Sequence, residues 1–340
     1  MYRKKELALV PLSGTTIDSL AGSSPLVALA PMAGITDLPF RQVVLAFGAD
    51  WVVSEMVASE DIVRARPEAR AKAELGLDQP RTALQIAGRE AHWMAEAARM
   101  AEALGAAEID INMGCPAKRV TNGLSGSALL RDPDHALRLI AAVVGAVKVP
   151  VTLKTRLGWD GAMLNAADVV RRAEEAGVSR IVIHGRTRCQ FYTGAADWAA
   201  IAAVRAAVRV PVLANGDITD AATARSALVA SGGAGVMLGR GVRGRPWLPA
   251  QVRAALVGQP KPQAPQGAAL TALVADHYEA MLSFYGVNLG TKAARKHLGW
   301  YMDAAGTPAA LRRRILTAPG PAGVLGLLPD AFAVPEQVAA

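Results

Sequence analysis

Short apolar stretches, many of them rich in β-branched residues, recur eight times along the chain with helical patterns between them. They occupy residues 26–30, 51–54, 82–86, 108–112, 151–155, 180–184, 212–214 and 235–238. The intervening segments, such as 90–104, 133–147, 166–176 and 221–229, are alanine-rich with helical periodicity. This alternation predicts an α/β fold, a parallel (β/α)₈ TIM barrel. The alternative is a doubly wound sheet, which would normally carry a glycine fingerprint after its first strand, and residues 30–34 (APMAG) lack one.

The pattern changes after the last of these strands. Residues 258–267 (GQPKPQAPQG) form a Pro/Gln-rich linker, and only helical patterns follow, over 268–284, 290–302 and 308–316. We therefore predict a lead-in over 1–24, a barrel over 25–250, a linker over 251–267, a small helical domain over 268–325 and a tail over 326–340. The apolar run at 7–12 is interrupted by Pro11 and is too short for a signal peptide or a membrane span, which predicts a cytoplasmic protein without membrane contact.

The overall charge favours an anionic partner. The chain has 37 Lys and Arg against 29 Asp and Glu, a formal net charge of +8, and a charge of this sign suits a nucleic acid. Its two cysteines, Cys115 and Cys189, are too few for a disulfide framework, which indicates a reducing compartment. The five histidines have no metal-ligand spacing, so no metal is predicted.

The functional groups of a (β/α)₈ barrel lie at the carboxyl ends of its strands. Polar residues stand at most of the predicted ends: Gln85, Asn112 with Cys115, Lys154 with Arg156, His184 with Arg186, Asn215 with Asp217, and Arg240. Lys154 is the most informative of them, because a lysine within an apolar barrel strand is costly to bury unless it meets an anion or a polar cofactor.

The ends of the seventh and eighth predicted strands carry glycines as well. Loops after these two strands commonly bind a phosphate in this fold. Residues 215–217 (NGD) and 239–241 (GRG) offer close backbone approach and one guanidinium, which predicts a phosphate-bearing cofactor. The glycines of 239–244 (GRGVRG) also match a dinucleotide fingerprint. These glycines follow the last predicted strand instead of the first strand of a βαβ unit. The acidic residue that a dinucleotide site needs downstream is also missing, since no Asp or Glu occurs between Asp220 and Asp276. The match therefore does not indicate a dinucleotide site.

Cys115 follows the fourth predicted strand after a sharp turn at Gly114, and Pro116 stiffens the backbone beside it. This placement is typical of a catalytic group, although a buried, inert cysteine is the alternative interpretation. Downstream, the helical segments carry two basic clusters, Lys292 with 295–297 (RKH) and the arginines of 312–314. Such clusters are either solvated faces or phosphate contacts, and the basic chain favours the second.

Several of these segments together resemble the tRNA-dihydrouridine synthases. The matching segments are 30–37 (APMAGITD), 85–88 (QIAG), 112–118 (NMGCPAK), 184–188 (HGRTR), 215–218 (NGDI) and 239–241 (GRG). The segment 294–301 (ARKHLGWY) is similar to the bacterial B-type branch. The resemblance runs from about residue 26 to residue 301, in the same order. The first 24 residues lie outside it, and the lid segment 121–125 (TNGLS) lacks a basic residue found in many members.

This resemblance implies FMN at the barrel mouth, NADPH (or NADH) as the reductant, and reduction of a uridine in the tRNA D-loop. It implies that Cys115 donates a proton and that Asn112 contacts the uracil. The residues it places around the flavin are Pro31, Met32, Ala33, Gln85, Lys154, His184, Asn215, Gly216, Asp217, Gly239 and Arg240. Further candidates for RNA contacts are Lys118, Arg119, Arg156, Arg186, Lys292, Arg295 and Lys296. No obligatory protein partner is inferred, and a monomer is expected.

Two other functions remain open from the sequence. One is a related FMN oxidoreductase that acts on a free pyrimidine or a dihydroorotate-like molecule, which would need neither the basic helices nor the net charge. The other is a non-catalytic RNA-binding protein, which would need neither Cys115 nor Lys154.

Overall fold

The computed structural model describes residues 24–76 and 81–333, so most of the predicted lead-in and half of the predicted tail lie outside the described residues. Nine parallel strands form one sheet. They are β1 (Leu26–Leu29), β2 (Trp51–Val53), β3 (Val57–Ala58), β4 (Thr82–Ala87), β5 (Glu108–Met113), β6 (Val151–Arg156), β7 (Arg180–His184), β8 (Val212–Asn215) and β9 (Gly235–Leu238).

The sheet closes on itself. Strand β1 pairs with β2 on one side and with β9 on the other, and β2 pairs directly with β4. The strands from β4 to β9 then pair in chain order. Strand β3 is a two-residue extension beside the end of β4. Eight strands therefore form the closed wall, which confirms the predicted (β/α)₈ barrel; its seventh and eighth strands are β8 and β9.

Helices alternate with the strands and surround the barrel. They are α1 (Leu38–Ala46), α2 (Ser59–Val63), α3 (Pro67–Ala73), α4 (Ala91–Ala103), α5 (Lys118–Thr121), α6 (Pro133–Val144), α7 (Ala166–Glu175), α8 (Ala199–Ala206), α9 (Ala221–Ser231) and α10 (Leu248–Leu256). Local sequence explains several starts. Asp132 accepts a hydrogen bond from the His135 amide with Pro133 in the first turn, and Asp220 forms a capping box with Thr223.

Alternation along the strands separates two cores. The outward side chains pack against the helices, whereas Trp51, Val53, Ala83 and Val182 belong to a smaller apolar cluster inside the barrel. The interior also holds charge. Arg180 makes two hydrogen bonds to Glu108, of 2.8 and 2.7 Å, and its guanidinium lies 4.7 Å from the Trp51 ring centroid. These side chains fill the interior toward the N-terminal end of the strands, whereas a cavity opens at their C-terminal end.

Four further helices follow: α11 (Gly267–Tyr285), α12 (Val287–Ala305), α13 (Ala309–Thr317) and α14 (Gly320–Ala331). They have their own apolar core, and they also contact helix α1 of the barrel. The His297 ring lies 5.1 Å from the Phe40 ring, and the Tyr285 hydroxyl donates a hydrogen bond of 2.9 Å to Asp37. This contact fixes the helical domain beside the barrel mouth.

Two boundaries differ from the sequence-based ones. Helix α10 extends to Leu256, because Val252 is fully buried and Arg253 forms an ion pair of 2.7 Å with Asp50, so the linker begins after it. Helix α14 runs past residue 325 to Ala331, with Leu328 fully buried. Its three glycines and two prolines conceal the helical pattern. No helix within 24–76 and 81–333 is long and apolar enough to cross a membrane.

Candidate active site at the barrel mouth

A cavity of about 1030 Å³ opens at the carboxyl ends of the barrel strands. Most of the predicted site residues line it: Pro31, Met32, Ala33, Gln85, Asn112, Cys115, Lys154, Arg156, His184, Asn215, Gly216, Asp217, Gly239 and Arg240. Helix α12 closes one side with Trp300, Asp303 and Ala304. Residues from almost every strand end thus meet in one place, as the barrel topology requires.

Lys154 lies at the inner end of this cavity and is 9% exposed. Its Nζ donates a hydrogen bond of 3.0 Å to Asn215 Oδ1, and Asn215 Nδ2 donates to the Met237 carbonyl. Burial, followed by the charge of Arg156, lowers the pKa of Lys154 to about 8. The ammonium is bonded to a neutral amide instead of a carboxylate, so it can still serve an anionic group.

His184 is neutral in this site. Burial, assisted by the charges of Lys154 and Arg156, lowers the pKa of His184 to about 2. The imidazole packs tightly against Gly216, where an added Cβ would come within 2.8 Å of His184 Cδ2. Gly216 also has φ +113°, so both its conformation and its space require glycine.

Asp217 is held by two arginines. Arg186 donates two hydrogen bonds to its carboxylate, of 3.0 and 2.6 Å, and Arg240 lies 3.8 Å away. Burial acts to raise the pKa of Asp217, but the hydrogen bonds from Arg186 and Ala196 outweigh it and keep that pKa below its usual value. Arg240 is half-exposed and stacks on the Tyr192 ring at 4.7 Å, with its guanidinium at the cavity.

Arg186 does not fit its predicted RNA contact. Its side chain is 2% exposed, and its donors serve the Asp217 carboxylate and the carbonyls of Thr193 and Gly194. Arg156 lines the cavity, but its guanidinium also donates to backbone carbonyls of the surrounding loops. Its Nε donates to the Gly114 carbonyl at 2.7 Å, and its Nη1 donates to the carbonyls of residues 187 and 191. Both arginines therefore hold the active-site loops together.

The backbone around Cys115 is fixed from two sides. Asn112 Oδ1 accepts hydrogen bonds from the amides of Gly114, at 3.1 Å, and Cys115, at 2.9 Å. The Ser127 hydroxyl donates to the Cys115 carbonyl at 2.8 Å. Gly126, with φ +59°, lies against the same residue, since an added Cβ would be 3.0 Å from the Cys115 carbonyl oxygen. Cys115 itself is partly exposed and faces the cavity.

The remaining predicted RNA contacts lie around the mouth and outside the cavity lining. Lys118 and Arg119 are exposed on α5, and Lys292 and Arg295 are exposed on α12. Lys296 is half-buried between α12 and the barrel, with its Nζ 3.1 Å from where a Gly34 Cβ would stand. These five cations thus occupy two separate elements next to the cavity.

Three further residues of this site have no role assigned from the sequence. Tyr192 contributes the aromatic face on which Arg240 stacks, and Trp300 lines the cavity from the helical domain. Neither is marked by a strand end. The Glu55 carboxylate accepts a hydrogen bond from the Gly34 amide and so holds the loop after β1. Its position just after β2 marks Glu55 as a polar strand end in the sequence, but its Gly34 partner could not be read from that position.

Comparison with known proteins assigns the family. A family model described as dihydrouridine synthase (Dus) matches residues 28–332. A probable tRNA-dihydrouridine synthase of Rhodobacter capsulatus is 62% identical over 323 residues, covering 94% of this chain and 98% of the relative. One of Rhizobium leguminosarum is 52% identical, covering 82% and 85%. The tRNA-dihydrouridine synthase B of Pseudomonas putida is 46% identical, covering 81% of each chain. The chain therefore belongs to the dihydrouridine synthase family.

Proposed function

We propose that this chain is a flavin-dependent tRNA-dihydrouridine synthase that reduces the 5,6 double bond of a uridine in the tRNA D-loop. One observation carries the proposal. The Cys115 loop and the Lys154 ammonium face the same cavity of about 1030 Å³, at the open end of the barrel. The family assignment and the names of the relatives support the choice of substrate. A tRNA substrate in turn favours a cytoplasmic location.

The residues present fit FMN. At the ends of β8 and β9, an added Cβ on Gly239 would meet only the Ala30 Cβ at 4.0 Å, so the backbone there is accessible. This accessible backbone suits a phosphate group, together with Gly216 and the half-exposed Arg240. Lys154 offers a buried cation to an electron-rich ring. A bound flavin, reduced by NADPH or NADH, supplies the hydride for one carbon of the double bond.

The chain's own contribution to the chemistry is a proton. Saturation of the double bond also requires a proton at the second carbon, which a general acid on the opposite side of the base can deliver. The Cys115 thiol faces the cavity on a loop that Asn112 and Ser127 hold in place. Cys115 Sγ therefore holds the proton that is donated. Asn112 Nδ2 carries a second hydrogen beyond the one given to Gln85, and this hydrogen would contact the uracil.

The target base has to leave its stack to enter a barrel mouth, which favours a loop of a folded RNA. The exposed cations on α5 and α12 flank the cavity and would contact the phosphates around that base. A free pyrimidine would need neither of these elements, so turnover of tRNA but not of free uridine or dihydroorotate is expected.

The proposed function is tested with Cys115→Ala. The variant should bind flavin and tRNA and should be reduced by NADPH at the wild-type rate, because that half-reaction uses no proton donor to uracil. Its anaerobic, single-turnover oxidation by tRNA should be slower by about 10²–10⁴-fold. Cys189→Ala is the control, since Cys189 is exposed and lies outside the cavity lining.

Two results would contradict this assignment. Oxidation of the Cys115→Ala enzyme within about threefold of wild type would exclude the thiol as proton donor, because the loss would fall well below the usual contribution of a general acid. Loss of both half-reactions would instead identify Cys115 as a structural residue.

A further inference from the structure

A chain of buried hydrogen bonds connects the interior of the barrel with the Cys115 loop. Thr152 Oγ1 donates to Asp110 Oδ1 at 2.7 Å, and Gln85 Nε2 donates to Asp110 Oδ2 at 2.7 Å. Asn112 Nδ2 then donates to Gln85 Oε1 at 2.8 Å. Asn112 Oδ1 finally accepts from the amide of Cys115. Four side chains from β4, β5 and β6 thus form one continuous relay.

The Asp110 carboxylate determines which way each amide in this chain of hydrogen bonds is turned. Each amide side chain has a donor end and an acceptor end, and either end can face a given neighbour. Because Asp110 presents an acceptor to Gln85, the Gln85 amide turns its Nε2 inward and its Oε1 outward. Asn112 therefore turns its Nδ2 toward Gln85, which leaves Oδ1 to accept from the amides of Gly114 and Cys115.

A reversed relay would release the loop. If the Gln85 amide were turned round, Asn112 would have to present Oδ1 to it, and the Asn112 Nδ2 would then oppose the Cys115 amide. Two N–H groups cannot bond each other, so the loop would lose both of its contacts with Asn112. Gln85 is fully buried, which leaves no bulk solvent to compensate a wrong orientation.

Asp110 is well suited to fix this orientation. It is 0% exposed, Thr152 occupies its other oxygen, and its register partners Gln85 and Thr152 hold it in the barrel wall. Burial raises the pKa of Asp110, while the hydrogen bonds from Thr152 and Gln85 oppose that rise. Asp110 is outside the cavity lining, so it acts on the site only through these neighbours.

We propose that Asp110 is a positioning residue, which orients the amides of Gln85 and Asn112 and thereby holds the Cys115 loop where its thiol reaches the base. This inference rests on the proposed function for its catalytic consequence. Its structural part, the position of the Cys115 loop, does not depend on the substrate.

The test compares Asp110→Asn with Asp110→Leu, two side chains of similar size, in the flavin-loaded full-length enzyme. The asparagine can still present an oxygen to Gln85, since the Thr152 hydroxyl can turn to accept from the new amide. The leucine presents no acceptor. We expect the Asn variant to oxidise with tRNA within about threefold of wild type. A misplaced loop should slow oxidation of the Leu variant by roughly 10²-fold, a much larger loss than in its reduction by NADPH.

A second readout needs no substrate. The rate at which iodoacetamide alkylates Cys115, followed by mass spectrometry with the exposed Cys189 as internal reference, should rise at least threefold in the Leu variant and stay constant in the Asn variant. Asp50→Leu is the matched control, because Asp50 is also a buried barrel carboxylate but bonds Val27 and Arg253. It should lower the unfolding temperature without changing Cys115 alkylation.

The outcomes separate the two proposals. If wild-type enzyme is not oxidised by tRNA, the proposed function fails, whereas the alkylation comparison still tests Asp110. If the Asn and Leu variants lost the same factor in oxidation rate, Asp110 would act through its charge, and the positioning role would be overturned. Unchanged Cys115 alkylation in the Leu variant would overturn it as well. If the Leu variant does not fold, Asp110→Ala removes the same acceptors and replaces it.

Discussion

The charge of Lys154 depends on pH and on what occupies the cavity. Burial lowers its pKa to about 8 from an ordinary value of 10.5, which means that the folded protein disfavours the ammonium. This lowers the free energy of unfolding, fully below pH 8 and progressively less as the pH rises toward 10.5, where the unfolded chain also loses the proton. A ligand that needs the ammonium must therefore bind together with a proton when the pH is above 8.

This linkage predicts the pH dependence of flavin affinity. The dissociation constant of FMN, measured by flavin fluorescence, should increase about tenfold per pH unit above pH 8 in the wild-type protein. Lys154→Met should bind more weakly at pH 7 and should lack this increase, because the ammonium that titrates in the wild-type protein is gone. Parallel pH profiles for the two proteins would show that Lys154 does not interact with the flavin.

The sequence could predict Lys154 and Cys115 because each stands at the end of an apolar strand, which is a local signal. It could not predict the role of Arg186, whose partners lie farther along its own loop and on the loop after β8. An arginine after a strand suggests an RNA contact until its Asp217 and carbonyl partners are seen. Asp110 was equally hidden, since its alternation with isoleucine shows that it faces the barrel interior but not which amides it bonds.

At the scale of elements, the segment between β5 and α6 determines where the Cys115 thiol lies. Gly126 allows this segment to fold back, and its added Cβ would lie 2.8 Å from Val120 Cγ1 and 3.0 Å from the Cys115 carbonyl oxygen. An alanine there must either strain the backbone at φ +59° or displace the Cys115 loop.

Gly126→Ala should therefore impair both stability and tRNA-dependent oxidation. Gly232→Ala is a matched control, because Gly232 has a similar φ of +62° but open space around its missing side chain. Each variant should lose about 1–2 kcal/mol of unfolding free energy from the positive φ, measured by urea denaturation. Only Gly126→Ala should slow the oxidation step. Equal rates in the two variants would mean that the Gly126 contact does not position the loop.

Most element bounds follow from local sequence, and the exceptions depend on tertiary packing. Helix α6 begins where Asp132 and Pro133 predict it, because caps act within a single turn. Helix α14 has poor helix formers and is stabilised by burial of Val324 and Leu328 in the core of the helical domain. That burial depends on α11 and α12 being in place, which no window of α14 alone can reveal.

For the whole molecule, docking of the helical domain brings a second basic element to the barrel mouth. Lys292, Arg295 and Lys296 are spaced three and four residues apart, so they share one face of α12. The same helix ends in the cavity wall with Trp300 and Asp303. RNA that enters the cavity would therefore pass along this face, and the affinity should depend on these cations through counterion release.

We predict that Lys292→Ala/Arg295→Ala weakens tRNA binding and reduces the slope of log K against log salt concentration by roughly 1 to 2. The control is Lys148→Ala/Arg209→Ala, which removes the same charge from exposed positions just before β6 and β8. Those positions lie at the N-terminal end of the barrel, away from the cavity, so the control should keep the wild-type slope. Flavin content should be unchanged in both proteins, because neither pair lines the cavity. Equal slopes for the two double variants would mean that tRNA responds only to the net charge of the protein, and the α12 face would then have no part in the RNA contact.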